Sequence, residues 1–137
     1  MEHLRTDLHT FFGDGNELLA ILLPVSAIDI LRLACNLLDK PDIAAEVLLI
    51  PRFVAQLAND PNCRIWAKQV EINGMIRGKC QYPIQLINTP AVVNDIAAVR
   101  AKTGIARTSD IVRLAIEKLH HDVILQRKPN VMKILNG

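Results

Sequence analysis

The stretch that decides the fold is YPIQLINTPAVVNDIAAVRAKTGIARTSDIVRLAIEKLHHD, Tyr82–Asp122. Its first seven residues, Tyr82–Asn88, are rich in β-branched and aromatic side chains and too few for a stable helix, so they predict a strand. Thr89 and Pro90 then supply a helix N-cap and a first-turn proline, whose missing N–H costs nothing at that position. The sequence therefore predicts a strand that leads directly into a helix.

Two short helices are predicted after the strand. The first ends at Gly104, because glycine adopts the left-handed conformation that a helix C-cap commonly needs. Thr108 or Ser109 caps the second, and Arg113 and Glu117 are expected one turn apart on its solvent face. The apolar stripes expected to face the core are Val92, Val93, Ile96 and Val99 in the first helix, and Ile111, Ala115, Ile116 and Leu119 in the second.

The segment KTGIARTSDIVRLAI, Lys102–Ile116, combines a glycine, a short polar turn, a hydroxyl cap, an acid, two aliphatic residues and a basic residue. With the strand before it, this segment resembles the ribbon-helix-helix (Arc/MetJ-like) family of DNA-binding proteins. The resemblance implies an intertwined homodimer with a two-stranded antiparallel ribbon, because a lone strand leaves its edges unpaired. It also implies that the ribbon enters the major groove while the second helix holds phosphate at its N-terminus.

The resemblance assigns base contacts to Pro83, Gln85 and Ile87, which would face outward while Ile84 and Leu86 face the core. Gln85 can pair bidentately with adenine, and Ile87 can touch a thymine methyl group. A slip of one residue in the strand register would exchange the two faces, so this assignment depends on the register.

Phosphate contacts are expected on both sides of the strand in sequence. Arg77 and Lys79 precede it and form a candidate basic arm, and Arg107, Thr108 and Ser109 lie at the predicted N-terminus of the second helix. Simple helix capping by the two hydroxyl residues is the alternative, and the two roles can coexist.

Charge is distributed unevenly over the 137 residues. Residues 1–75 hold 6 Lys+Arg and 10 Asp+Glu, whereas residues 76–137 hold 10 and 4, so the balances are −4 and +6. A basic C-terminal half is expected for a protein that neutralises phosphates, although lysine and arginine also simply solvate helical surfaces. The 3 cysteines form no CxxC pair and are expected to be reduced thiols in the cytoplasm.

The sequence of the N-terminal half predicts four or five short helices that prolines separate, and it shows no internal repeat. The fold class expected for the whole chain is mainly α. Asn16–Leu23 is a compact apolar run that Asn16 could cap, and Ser26, with Asp29 at capping-box spacing, is expected to cap a helix that runs to about Leu38. Val70–Arg77 is compatible with a helix or with a hairpin that turns at Asn-Gly. We expect a helical domain of unknown role at 1–75, a ribbon-helix-helix domain at 76–125 and a C-terminal tail at 126–137.

The expected function is that of a homodimeric DNA-binding protein, such as a transcriptional regulator or a plasmid or phage maintenance factor. The alternative is a protein–protein interaction module that uses the fold only to dimerise, docking protein on Pro83 and Ile87. The N-terminal helices would offer a site for a protein partner. The spacing of histidine, cysteine and acidic residues indicates no enzyme, metal or cofactor, and no apolar run is long enough to span a membrane.

Overall fold

The computed structural model of the chain describes residues 17–72 and 80–136, and these are mainly helical. None of the helices described is long and apolar enough to cross a bilayer. In chain order the elements are β1 Glu17–Leu23, α1 Val25–Leu37, a π-helical turn Ala45–Leu49 continuous with α2 Ile50–Asn59, α3 Cys63–Ile72, β2 Tyr82–Asn88, α4 Pro90–Thr103, α5 Thr108–Leu119 continued by a π-helical segment His120–Leu125, and α6 Pro129–Asn136.

The strand predicted at Tyr82–Asn88 is confirmed, but its partner belongs to the same chain. β1 and β2 pair antiparallel in a two-stranded sheet, with a register that runs from Glu17↔Asn88 to Leu23↔Tyr82. We expected the ribbon to form between two copies. The intramolecular pairing supplies each strand with a neighbour, so a second copy is not needed to complete the ribbon.

The assignment of Asn16–Leu23 to the helical N-terminal half was wrong, because Glu17–Leu23 is a strand. The segment ELLAILL is a short apolar run before a proline, and periodicity alone does not distinguish a buried strand from a buried helix at this length. Asn16 itself lies outside the described residues.

The first strand leads into α1, whose start differs from the predicted cap. Pro24 occupies the N-cap position and no side chain among the described residues bonds there, so the expected cap by Ser26 was wrong. After α1, the chain forms one continuous helix through Pro51. A π-helical turn ends at Leu49, two residues before this proline, where the α-helical hydrogen-bond pattern must adapt to a residue without an N–H.

The second strand leads into α4 as the sequence predicted. The Thr89 hydroxyl accepts a hydrogen bond from the Val92 N–H at 3.3 Å, and Gly104 ends the helix with φ of 76°. Val93 was expected in the buried stripe but is 44% exposed, because it lies one residue beyond the face that Val92 and Ile96 present to the core.

The structure contains a repeat that the sequence does not reveal. A strand is followed by two long helical segments twice, and the offset from Glu17 to Tyr82, 65 residues, is the same as the offset from Val25 to Pro90 at the start of the following helix. The same offset relates Asp39, with φ of 53°, to Gly104. We call residues 17–59 unit 1 and residues 82–124 unit 2.

Hydrogen bonds repeat with the elements. The Ala45 N–H donates to the Asp42 carbonyl at 3.1 Å, and the Asp110 N–H donates to the Arg107 carbonyl at 3.1 Å. Asp42 and Arg107 therefore occupy equivalent positions, each at the start of the second helical segment of its unit.

Burial repeats as well, although side-chain identity does not. Only Val47/Val112 and Leu49/Leu114 are identical when the two units are superposed by this offset. Positions that hold a buried hydrophobic residue in both units are Ile21/Leu86, Ala27/Val92, Leu31/Ile96, Ala34/Val99, Leu49/Leu114, Ile50/Ala115, Val54/Leu119 and Ala58/Val123. These residues join one hydrophobic core, so the units pack on each other rather than forming separate domains. The expected boundary near residue 75 lies outside the described residues.

The remaining helices close the ends of this core. Cys63, Ala67 and Val70 of α3 are buried on one face of the helix, and the Asn-Gly turn of the hairpin alternative lies outside the described residues. Val131 and Met132 of α6 pack against the core, so this part of the C-terminal tail folds back on the body.

A buried carboxylate links the end of α5 to α6. Asp122 is 2% exposed, and its oxygens lie 3.0 Å from Lys128 Nζ, 3.3 Å from Lys118 Nζ and 2.9 Å from His121 Nδ1. Lys118 also lies over the Trp66 ring at 5.6 Å from its centroid, so the cluster reaches α3.

Candidate nucleic-acid interface

The register of β2 places the predicted base-contact residues on the outward side of the ribbon. Ile84 and Leu86 are buried in the core, as expected. Because successive side chains of a strand point to opposite faces, Pro83, Gln85 and Ile87 lie on the other face.

The outward face of the ribbon also contains residues that the sequence reasoning missed. Ala20 pairs with Gln85 and Leu22 pairs with Pro83, and Leu22 is 51% exposed. They were missed because β1 was assigned to the helical region. The length of the apolar run, 7 residues before Pro24, is the signal that favours a strand, because helices are usually longer.

The three predicted base-contact residues differ in accessibility. Pro83 is exposed and Gln85 is half-buried, whereas Ile87 is only 4% exposed. Gln85 Oε1 is buried and has no hydrogen-bond partner within the described ranges. Ile87 therefore offers almost no surface to a thymine methyl group in this structure, contrary to the expectation.

The edge of β2 that faces away from β1 forms a hydrogen bond to a side chain of unit 1. The Gln85 N–H donates to Glu46 Oε2 at 2.6 Å, so this backbone group is directed away from β1. Burial raises the pKa of the Glu46 carboxyl, and the hydrogen bond from Gln85 opposes that rise. An acidic side chain thus lies directly beside the second strand of the ribbon.

A cleft of about 470 Å³ separates β1 from the start of α5. Its walls bring together residues from the two units: Leu19, Ala20, Ile21 and Leu22 from β1, and Arg107, Thr108, Ser109, Asp110 and Arg113 from α5, with Cys80 beside them. The three residues predicted to hold phosphate at this helix are therefore adjacent to the ribbon in space.

The start of α5 is not capped as predicted. Arg107 is the N-cap residue, and no side-chain capping bond is formed there by the described residues. The Thr108 hydroxyl instead accepts a hydrogen bond from Arg100 Nη2 at 3.1 Å. The first N–H groups of α5 lack the side-chain acceptor that an N-cap supplies, and they carry the positive end of the helix dipole.

Arg113 and Glu117 were expected in solvent, but the structure buries both. Arg113 is 8% exposed and Glu117 is 7% exposed, because this face of α5 turns toward the protein interior. Arg113 Nη1 lies 3.3 Å from Asp110 Oδ1, while its Nη2 has no hydrogen-bond partner in the described part of the chain. Burial raises the pKa of the Glu117 carboxyl and the charge of Arg113 opposes that rise.

Arg113 is a candidate site residue that sequence reasoning placed wrongly. A buried guanidinium with one unpartnered nitrogen, lining a cleft at an uncapped helix N-terminus, is suited to binding an anion. The sequence places Arg113 one turn after Ser109 and Asp110 on the helix, but it gives no signal for the burial of this side chain.

Two predicted phosphate contacts, Arg77 and Lys79, lie outside the described residues. Within 17–72 and 80–136, no group of three histidine, cysteine, aspartate or glutamate side chains is arranged to hold a metal ion. No family model, curated protein or solved structure matches this chain.

Proposed function

We propose that this protein binds double-stranded DNA through a ribbon-helix-helix fold made within one polypeptide. The observation that carries the proposal is the repeated order of strand, helix and helix, with the two strands paired antiparallel. That arrangement supplies a two-stranded ribbon, which the major groove of B-DNA is wide enough to admit. Transcriptional regulation, or maintenance of a plasmid or phage, is the process in which such a protein would act.

Phosphate binding is supported by the cleft beside β1. Arg107 is exposed at the start of α5, Ser109 lies in its first turn, and Arg113 contributes a guanidinium nitrogen with no partner among the described residues. A DNA backbone that passes the ribbon at this side would meet a helix N-terminus and two arginines, the groups that most often hold phosphate.

Base recognition would depend on few polar groups. Gln85 has the amide that pairs with adenine, and the exposed side chains of Leu22 and Pro83 are suited to apolar contact with thymine methyl groups. Ala20, opposite Gln85, leaves space for the base edge to approach. We therefore expect modest sequence preference, set mainly by Gln85.

Fluorescence anisotropy with labelled duplexes at low salt tests this proposal. Arg107→Ala should weaken binding to every duplex and lower the slope of log K against log salt by about 0.9 for each phosphate that the variant no longer neutralises. Gln85→Ala should reduce the discrimination between sequences by about 1–3 kcal/mol. Arg77→Ala and Lys79→Ala test the arm that the sequence predicts.

Arg64→Ala is the matched control, because Arg64 is an exposed arginine on α3, outside the two units. It should leave affinity and salt dependence unchanged. Equal affinity of the wild type, Arg107→Ala and Gln85→Ala for all duplexes would contradict the proposal.

A second candidate function is protein docking on the outward ribbon face. The apolar character of that face favours it, since Leu22 is 51% exposed and pairs with the exposed Pro83. Sedimentation velocity of the wild type and of Leu22→Lys is the test. A dimer that this substitution converts to a monomer, together with no DNA binding at low salt, would favour docking over DNA binding.

A further inference from the structure

The second helical segments of the two units start at positions that are equivalent in backbone but opposite in charge. Arg107 stands at the start of α5 in unit 2, and Asp42 stands at the matching position in unit 1. Both are exposed, and the carbonyl of each accepts a hydrogen bond of 3.1 Å from the N–H three residues later. The same structural position thus presents a cation on one side and an anion on the other.

The difference in charge between the two units extends to the residues around Asp42 and Arg107 along each side of the ribbon. Residues 104–113, beside β1, contain two arginines and one aspartate, whereas the matching residues 39–48 contain one lysine, two aspartates and one glutamate. The glutamate is Glu46, whose carboxylate oxygen lies 2.6 Å from the Gln85 nitrogen at the edge of β2. The β1 side of the ribbon is therefore basic, and the β2 side is acidic.

The hydrophobic positions do not share this difference. Leu49/Leu114, Ile50/Ala115 and Val54/Leu119 are buried at equivalent places in the two units. The two units therefore repeat the same elements and the same buried positions. The side chains beside the two strands of the ribbon differ in the sign of their charge.

We propose that the protein binds DNA as one chain and holds phosphate on only the β1 side of the ribbon, so that its target site lacks two-fold symmetry. This proposal rests on the proposed DNA-binding function. A symmetric dimer places the same residues on both sides of its ribbon and therefore selects pseudo-palindromic sites. Here a phosphate that approached Asp42 and Glu46 would meet like charge, whereas one that approached Arg107 would be attracted.

Selection from a duplex pool with a random central region, followed by backbone footprinting, is the first test. The selected sites should show no inverted repeat, and protection should be confined to the backbone on one side of the ribbon. The complex should contain one protein chain per duplex by sedimentation.

Matched substitutions at the equivalent positions are the second test. Arg107→Ala should weaken binding to the selected duplex and lower its salt slope by about 0.9. Asp42→Ala should leave affinity unchanged or raise it. Asp42→Arg should raise affinity and increase the slope by a similar amount, since it creates a second basic side. Both positions are exposed, so far-UV circular dichroism should be unchanged in all three variants.

The outcomes separate this inference from the function on which it depends. If the wild type binds no duplex of the pool in about 50 mM salt, where phosphate contacts are strong, both proposals fail. If it binds but selects an inverted repeat, or if Asp42→Ala weakens binding as much as Arg107→Ala does, DNA binding stands and one-sided binding is overturned.

Discussion

At the scale of single residues, Asp122 is a buried carboxyl group whose ionised form is stabilised by neighbouring side chains. Burial by itself raises the pKa of this carboxyl, but the hydrogen bonds from His121 and Lys128 and the charges of Lys118 and Lys128 outweigh burial. The pKa of Asp122 therefore lies below its ordinary value. Removing one member of such a buried network leaves the remaining charges uncompensated.

We predict that Asp122→Asn lowers the free energy of unfolding at pH 7 by about 3 kcal/mol, measured by urea denaturation. Because the folded state favours the ionised carboxyl, the stabilisation is present above the ordinary aspartate pKa of about 4 and is lost as the pH falls through the lowered pKa. The wild type should therefore lose more stability on acidification below about pH 4 than the variant does.

Asp29→Asn is the control, because Asp29 is exposed on α1. It should change stability by less than about 0.5 kcal/mol at either pH. An Asp122→Asn protein as stable as this control would show that the cluster contributes nothing to folding.

At the scale of elements, the two turns between helices offer a matched pair of left-handed residues. Asp39 has φ of 53° and Gly104 has φ of 76°. A side chain is disfavoured in this conformation by about 1–2 kcal/mol, although aspartate tolerates it better than most residues. Apart from its two chain neighbours, no part of the described chain comes within 4 Å of a Cβ placed on Gly104, so an alanine there would meet backbone strain alone.

We predict opposite effects at these two positions. Gly104→Ala should lower the free energy of unfolding by about 1 kcal/mol, and Asp39→Gly should raise it or leave it within about 0.5 kcal/mol of the wild type. Thermal unfolding followed by circular dichroism gives the comparison. A stabilising Gly104→Ala would mean that this turn relaxes to another conformation.

The elements also show how far sequence reasoning reaches. The elements of unit 2 were predicted because the residues that start and end them are recognisable locally. Thr89 caps α4, Gly104 ends it, and Tyr82–Asn88 has strand composition. Unit 1 was not, because Pro24 and Asp39 stand where unit 2 has its threonine and glycine. Turn chemistry that differs in residue type but not in conformation leaves no repeat for the sequence to reveal.

The candidate site was predicted in part for a related reason. Arg107, Thr108 and Ser109 lie at the start of α5, where the sequence placed them, since a helix start follows from nearby residues. The burial of Arg113 and Ile87 could not be predicted, because it depends on the packing of one unit against the other. The acidic residue beside β2, Glu46, is likewise distant in sequence from the strand it touches.

At the scale of the whole molecule, the two units share one sheet and one core, so neither has a complete interior alone. β1 without β2 would leave its inner residues Ile21 and Leu23 exposed to water. We predict a single cooperative unfolding transition whose midpoint does not depend on protein concentration. Trp66 fluorescence, which reports on α3, and far-UV circular dichroism should give coincident curves in urea.

A fragment of residues 1–75 provides the matching control, and it should remain unfolded by circular dichroism and by urea titration. Two separate transitions in the intact chain, or a midpoint that rises with concentration, would indicate units that fold independently or a ribbon that pairs between chains.

The pairing of β1 with β2 inside one polypeptide affects how substitutions can accumulate in the two halves of the ribbon. In an assembly of identical subunits, one codon specifies both halves, so any substitution that improves one side is imposed on the other. Here each half has its own codons, and a tolerated change in Asp42 leaves Arg107 as it was. The near absence of shared residues between two backbones of the same shape is what such separate inheritance would produce.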